Sequence, residues 1–284
     1  MLQKTTIFLL CALLLSGCRN ADDAAALVRK IGALVGLVQS DAKATLHNQT
    51  APRTADYTLR LPDSWQQIAA QNSQNYTSPI AFMPAKEKTV YYFNSDSQIA
   101  SAPSNEGYYR ELLGKTADGK RVVQDFYQSS QTPQTAPFVL KNDADIESFD
   151  SDGSDGRIVW FSRGGDVAQI GDFKQGASDN IIVNVRRGKA VLAMEKTSQG
   201  ITHYILDDNA QIASLVNEHG DTIRAILFYP NGSAMFQGDI AASGGKFNTA
   251  YCWNEAAQPI TCDSIQDKLE MGLQQVDGVL QSRI

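Results

Sequence analysis

From about residue 88 to residue 262 the chain alternates short apolar runs with polar turns at a nearly constant interval. The runs include Val90-Tyr91-Tyr92-Phe93, Ile158-Val159-Trp160-Phe161, Ile181-Ile182-Val183, Tyr204-Ile205-Leu206 and Ile226-Leu227-Phe228. The turns that follow end at Ser97, Gly119, Asn142, Gly165, Gly188, Ala210, Gly232 and Glu255, always 22 or 23 residues apart. A second series falls between them, around Ser130, Gly153 to Gly156, Gly176, Gly200, Gly220 and Gly244-Gly245. One turn roughly every 11–12 residues is what a β-meander needs: an extended run, then a tight reversal. A fixed period of this size marks a repeat array whose units stack to share a core. The pattern predicts a mainly β fold, an elongated or curled antiparallel meander of 22–23-residue hairpins.

The flanks read differently. Leu27, Val28, Ile31, Leu34, Val35 and Val38 recur at helical spacing behind Asp22 and Asp23, which predicts an N-terminal helix from Asp22 to about Asn48. Residues 51–87 read as a linker with a short strand at Tyr57–Leu61 and a brief helix over Trp65–Ala69, capped by Asp63. From Asp263 to the end, Ile265, Leu269, Leu273, Val276, Leu280 and Ile284 form one apolar stripe. A C-terminal amphipathic helix over 263–284 is expected to cap the sheet, because arrays and sheet edges need covering.

Residues 1–17 carry a targeting signature: Lys4, then an apolar stretch from Thr6 to Leu15 too short to span a bilayer. Leu15-Ser16-Gly17-Cys18 follows, and it resembles the lipobox of bacterial lipoproteins. The resemblance implies cleavage before Cys18, lipidation of its thiol and a lipid anchor over the first part of 18–50. Arg19 is not the aspartate that favours inner-membrane retention in enteric-type lipoproteins, so an outer-membrane address, periplasmic or surface-facing, is expected.

With Cys11 removed and Cys18 lipidated, Cys252 and Cys262 are left in an oxidising compartment, where pairing is the expected state. A disulfide there would staple the last hairpin. Net charge is −6 and the pI is about 5.1, which argues against a nucleic-acid surface.

Gly107-Tyr108-Tyr109-Arg110, Gln124-Asp125-Phe126-Tyr127 and Phe228-Tyr229-Pro230-Asn231-Gly232 resemble MORN-type repeats, especially the bacterial variant grouped with YwqK-like proteins. The resemblance implies hairpins arrayed into an elongated sheet, with scaffolding, membrane-proximal binding or toxin neutralisation as roles.

Candidate chemistry is sparse. His47, His203 and His219 have no metal-ligand spacing, and His203 is expected to face solvent from a strand. Asp150, Asp152 and Asp155 surround a glycine turn and form a candidate calcium loop, the alternative being a solvated acidic turn. Tyr92, Trp160, Tyr204 and Tyr229 are candidate binding aromatics: adjacent pairs in strands put one ring on each face, so one face could be core and the other an exposed aromatic ladder, the alternative being that both faces are covered. No cofactor is implied. The sequence therefore reads as a non-enzymatic, lipid-anchored envelope protein with a β-hairpin surface for an envelope protein partner, an immunity role being one form of this. The alternative is a cell-envelope hydrolase without a recognisable motif.

Overall fold

The computed structural model describes residues 48–198, 200–241 and 247–281. The expected signal peptide, Cys18 and nearly all of the expected N-terminal helix lie outside them. Among the described residues the chain is mainly β, in two antiparallel sheets. The first holds five strands: β1 (Met83–Phe93), β2 (Ile99–Ala100), β3 (Tyr108–Lys115), β4 (Arg121–Tyr127) and β5 (Phe138–Val139). The second is an unbroken meander of ten: β6 (Gly156–Phe161), β7 (Val167–Lys174), β8 (Ala177–Arg186), β9 (Lys189–Thr197), β10 (Gly200–Leu206), β11 (Ile212–His219), β12 (Thr222–Phe228), β13 (Ala234–Ala241), β14 (Phe247–Trp253) and β15 (Pro259–Ile260).

The two sheets share one seam. Residues Val139 and Phe138 pair with Val122 and Val123 of β4. Just before them, Phe161 N donates to Gln134 O and Ala136 N to Val159 O, both at 2.8 Å, so the same segment also pairs with β6. The result is a curled half-barrel.

Turn chemistry explains the 22–23-residue interval. In most of the first-series turns the opening residue donates N–H to the carbonyl four residues on: Ser162 to Asp166 and Tyr229 to Ser233 at 2.8 Å, Asp207 to Gln211 and Asn254 to Gln258 at 2.9 Å. The side chains of Asp207 and Asn254 also accept two loop N–H groups each. Two turns, Gln175-Gly176 of the second series and Arg187-Gly188 of the first, are two-residue hairpins with both φ values positive. Successive strands reverse direction, so in the large sheet the turns around 165, 188, 210, 232 and 257 share one end and those near 176 and 220 the other. One period is one outgoing strand and one returning strand.

Several expectations shift. Strand pairing begins at Met83 rather than 88. The turn expected at Asn142 is not a hairpin; Asn142 starts a 3-10 helix over Asp143–Glu147, and a second covers Ser151–Gly153. The turn near Glu255 places its positive φ at Ala257. Tyr57–Leu61 forms no strand. Helix α1 spans Trp65–Ala69 as expected, but Ser64 rather than Asp63 is its N-cap. At the C-terminus a 3-10 turn, Cys262–Ile265, leads into α2 (Gln266–Gln281).

Both faces of the large sheet carry hydrophobic cores. On one face Val159, Phe161, Val183, Tyr204, Leu206, Ile226 and Phe228 pack under an N-terminal arm, residues 49–76, through Ala51, Tyr57, Trp65, Ile68 and Tyr76. On the other, Leu192, Ile205, Val216, Leu227 and Phe236 pack against Leu269, Leu273 and Val276 of α2. Further along that face, Ile158, Trp160, Phe173, Ile182 and Met194 meet Val123, Phe138, Leu140 and Ile146 of the first sheet and its 3-10 turn.

The arm visits the shared-end turns in reverse order. Trp253 Nε1 donates to Gln49 O at 3.0 Å, Thr54 N to Gly232 O at 2.8 Å, and Ser73 N to Gly165 O at 2.8 Å. Two segments of the arm, Arg53-Thr54-Ala55-Asp56-Tyr57 and Asn72-Ser73-Gln74-Asn75-Tyr76, dock alike. In each, the fourth residue's side chain accepts the first residue's N–H, at 2.7 and 2.8 Å. Each ends in a tyrosine set edge-on to a core phenylalanine, Tyr57 on Phe228 and Tyr76 on Phe161.

Candidate functional site

Three arginines repeat one geometry. Arg110, Arg157 and Arg224 each lie directly opposite an aspartate fifteen residues later, Asp125, Asp172 and Asp239, across a hairpin. Each Nε donates to one carboxylate oxygen at 2.7 Å, and each Nη2 to the other at 2.7–3.1 Å. This bidentate fork fixes the guanidinium plane and leaves Nη1 facing away from the carboxylate. The aspartate bond holds the Arg157 and Arg224 guanidinium groups still more firmly in the charged form.

The third pair belongs to a polar row on the arm face of the large sheet. Register places Glu195, Thr202, Asn217, Arg224, Asp239 and Thr249 side by side on six successive strands. At ~4.8 Å per strand the row runs about 24 Å. Asn217 Nδ2 donates to Thr202 Oγ1 at 2.8 Å, and Thr249 Oγ1 to Asp239 Oδ2 at 3.1 Å. Tyr204 Oη donates to Glu195 Oε2 at 3.0 Å, and burial together with that carboxylate raises the phenol's pKa. The arm crosses the half of this face nearest the shared-end turns. Beyond it the row stays part-exposed, and half of the Arg224 side chain is open to solvent (49%). This flat, hydrogen-bonded row, with spare donors and acceptors, is the candidate site.

A second concavity, about 450 Å³ and open to solvent, lies where the β1–β2 turn meets the 3-10 turn at 143–147. Ser97, Ile99, Glu147, Phe149 and Asp150 border it. Phe149 is stacked on Tyr108 with ring centres 4.9 Å apart, so the wall is set by core packing.

The candidate residues are dispersed. Cys252 and Cys262 are disulfide-bonded and buried, tying β14 to the start of the C-terminal helix. Among the aromatics Tyr92 is part-buried, in a cross-strand row with Tyr109 and Phe126 on the outer face of the first sheet. Trp160, Tyr204 and Tyr229 form no exposed ladder; they are buried in three different core clusters. The arm, α2 and the first sheet cover both faces, so the alternation that sends neighbouring rings to opposite sides sends both inside.

The calcium candidate is not assembled. Asp155 accepts from the Gln175 backbone N–H, from Lys120 and from the Gln175 side chain, and these bonds lower its pKa. Asp150 accepts from Ser148 Oγ at 2.8 Å, and the Asp152 carbonyl, rather than its carboxylate, is bound by Lys141. Among the described residues no three His, Cys, Asp or Glu side chains converge as metal ligands. His203, expected to face solvent, is only 1% exposed, with Nε2 2.8 Å from Glu218 Oε1.

The arginine–aspartate pairs were not anticipated. Their signal is present: Gly171-Asp172 and Gly238-Asp239 stand six residues after matching turn glycines, and an arginine precedes each of those glycines by eight. Only the register shows that the two halves meet. No family model and no curated protein matches the chain. Among the described residues no helix is long and apolar enough to cross a membrane.

Proposed function

We propose that this protein is a lipid-anchored, non-enzymatic binding protein of the bacterial outer membrane that recognises an envelope protein through its β-hairpin array. The observation that supports this best is the polar row from Glu195 to Thr249: six part-exposed polar side chains, held in register by neighbouring strands. A rigid surface of this kind loses little conformational entropy on binding, so interactions with a partner are not spent on ordering it. The Leu15-Ser16-Gly17-Cys18 motif supports the anchor and the address, and the net charge of −6 weighs against a nucleic-acid partner. The likeness to MORN-type repeats points the same way, with neutralisation of a toxin as one form of the role. No cofactor is invoked.

Two measurements test it. Labelling cells with an alkyne fatty acid should tag the wild-type chain but not Cys18→Ser, and fractionation should move only the variant out of the outer membrane; equal labelling would remove the anchor. A photo-cross-linker at Asn217 should capture one stoichiometric envelope protein in intact cells. Capture of none, with wall-polymer turnover by the purified chain, would favour a hydrolase.

A further inference from the structure

The three arginine–aspartate pairs differ in what their remaining guanidinium nitrogen does. Arg110 Nη1 donates to the main-chain carbonyls of Asp145, Ile146 and Ser148, at 3.1, 3.3 and 2.8 Å. Arg157 Nη1 donates to the main-chain carbonyl of Asp63 in the arm, at 3.1 Å. In both cases the pair fastens a polypeptide segment that crosses its strands. Arg224 forms the same fork with Asp239, beside Tyr57 of the arm, yet among the described residues its Nη1 has no acceptor.

We infer that the Arg224–Asp239 pair is a docking point for a segment of a partner protein, whose main-chain carbonyl accepts from Arg224 Nη1 as the Asp63 carbonyl accepts from Arg157. This rests on the binding-protein reading above and names the partner chemistry of that site. The surface continues the arm's own interface: Tyr57, packed on Phe228, stands at the border between the covered half of the face and the polar row. Glu195 lies three strands from Arg224, about 14 Å at ~4.8 Å per strand. Its Oε2 accepts from Tyr204, which among the described residues leaves Oε1 for a cationic side chain of the incoming segment. The partner is thus an extended segment crossing β9 to β13 alongside the arm, with a carbonyl at Arg224 and a lysine or arginine four or five residues away, at ~3.3 Å per extended residue. A lysine at 224 would keep the charge but lose the planar fork that aims Nη1.

The test uses the full chain in detergent micelles and a phage-displayed library of random twelve-residue peptides. Selected peptides are expected to carry a basic residue and to bind at least tenfold more weakly to Arg224→Gln and Arg224→Lys. Arg186→Gln, which removes an exposed charge on another hairpin, should leave affinity within twofold. Thermal melts of the variants guard against misfolding. Replacing the accepting amide of a selected peptide by an ester should weaken binding to the wild type and make no difference to Arg224→Gln. No selectable peptide, or peptides indifferent to Arg224 and to the ester, would overturn the inference. A partner captured at Asn217 whose binding ignores Arg224 would leave the binding-protein reading standing and remove only this docking point.

Discussion

Arg110 and Asp125 form a buried ion pair: Arg110 is 1% exposed and Asp125 4%, with Nε 2.7 Å from Oδ1 and Nη2 2.8 Å from Oδ2. Three carbonyls take Nη1, and the rings of Phe93, Phe138 and Phe149 each lie about 5.5 Å from the guanidinium carbon. A buried charge is tolerable only when both its partner and its hydrogen bonds are supplied. Here they come from two strands and a 3-10 turn. The pair therefore locks the 143–148 segment onto the first sheet.

Removing one partner strands the other. Asp125→Asn and Arg110→Met should each lower unfolding free energy by roughly 3–5 kcal/mol, read from urea titrations. The double change to apolar residues should cost less than the sum of the singles. Additive losses would show that the pair is not coupled.

Two neighbouring tyrosines should respond in opposite ways. Tyr127 Oη donates to Phe161 O at 2.8 Å, whereas Tyr108 Oη is buried without a hydrogen-bond partner among the described residues. Tyr127→Phe should destabilise by about 1 kcal/mol, and Tyr108→Phe should be neutral or stabilising. Thermal denaturation of the two variants separates them.

Burial pushes the Tyr127 hydroxyl up to about 12. The unfolded chain releases that proton near pH 10, before the folded one does. Stability from this group is therefore complete below pH 10 and is lost as pH rises to 12. Tyr127→Phe should flatten that part of the alkaline unfolding curve; an unchanged curve would assign the loss to other groups.

The arm depends on two turn glycines. Gly165 and Gly232 have φ of +89° and +80°, and a Cβ on them would lie 2.8 Å from Ser73 Oγ and 2.6 Å from Thr54 Oγ1. Gly232→Ala should cost about 1–3 kcal/mol through backbone strain and the clash. Hydrogen exchange should quicken first in residues 51–57, where the arm lifts. Thr54→Ala in the same chain should relieve the clash and leave the φ strain.

The disulfide closes a short loop, with a sequence separation of 10. Losing it in Cys252→Ala/Cys262→Ala should cost roughly 2–3 kcal/mol by loop entropy. Exchange should rise most in α2, whose Leu269, Leu273 and Val276 share a core with both cysteines.

Local signals carried the meander well. Helix α1 lies over Trp65–Ala69 as the pattern predicts, and the turns at Ser97, Gly119, Gly165, Gly188, Ala210 and Gly232 all place a positive φ at the expected residue. Asn142 failed because the acidic run after it satisfies its own N–H groups locally: Asp145 caps Asn142 at 2.9 Å, and a 3-10 helix replaces the reversal. His203 was misplaced, and the choice between an exposed ladder and covered faces stayed open for Trp160 and Tyr229, for another reason. A strand's alternation says which residues share a face, but it is silent on what lies over that face.

Local sequence alone set the strand-and-turn period, the β class, the presence of a C-terminal helix and the pairing of Cys252 with Cys262. Each of these depends on residues within one or two turns of each other. Tertiary structure alone decided that the arm would cover one face and α2 the other, that the aromatics would be buried, and that Arg110, Arg157 and Arg224 would meet their aspartates. Those outcomes depend on register and on packing between segments distant in the chain. The same packing that satisfied Nη1 of the first two arginines left the third, among the described residues, without an acceptor.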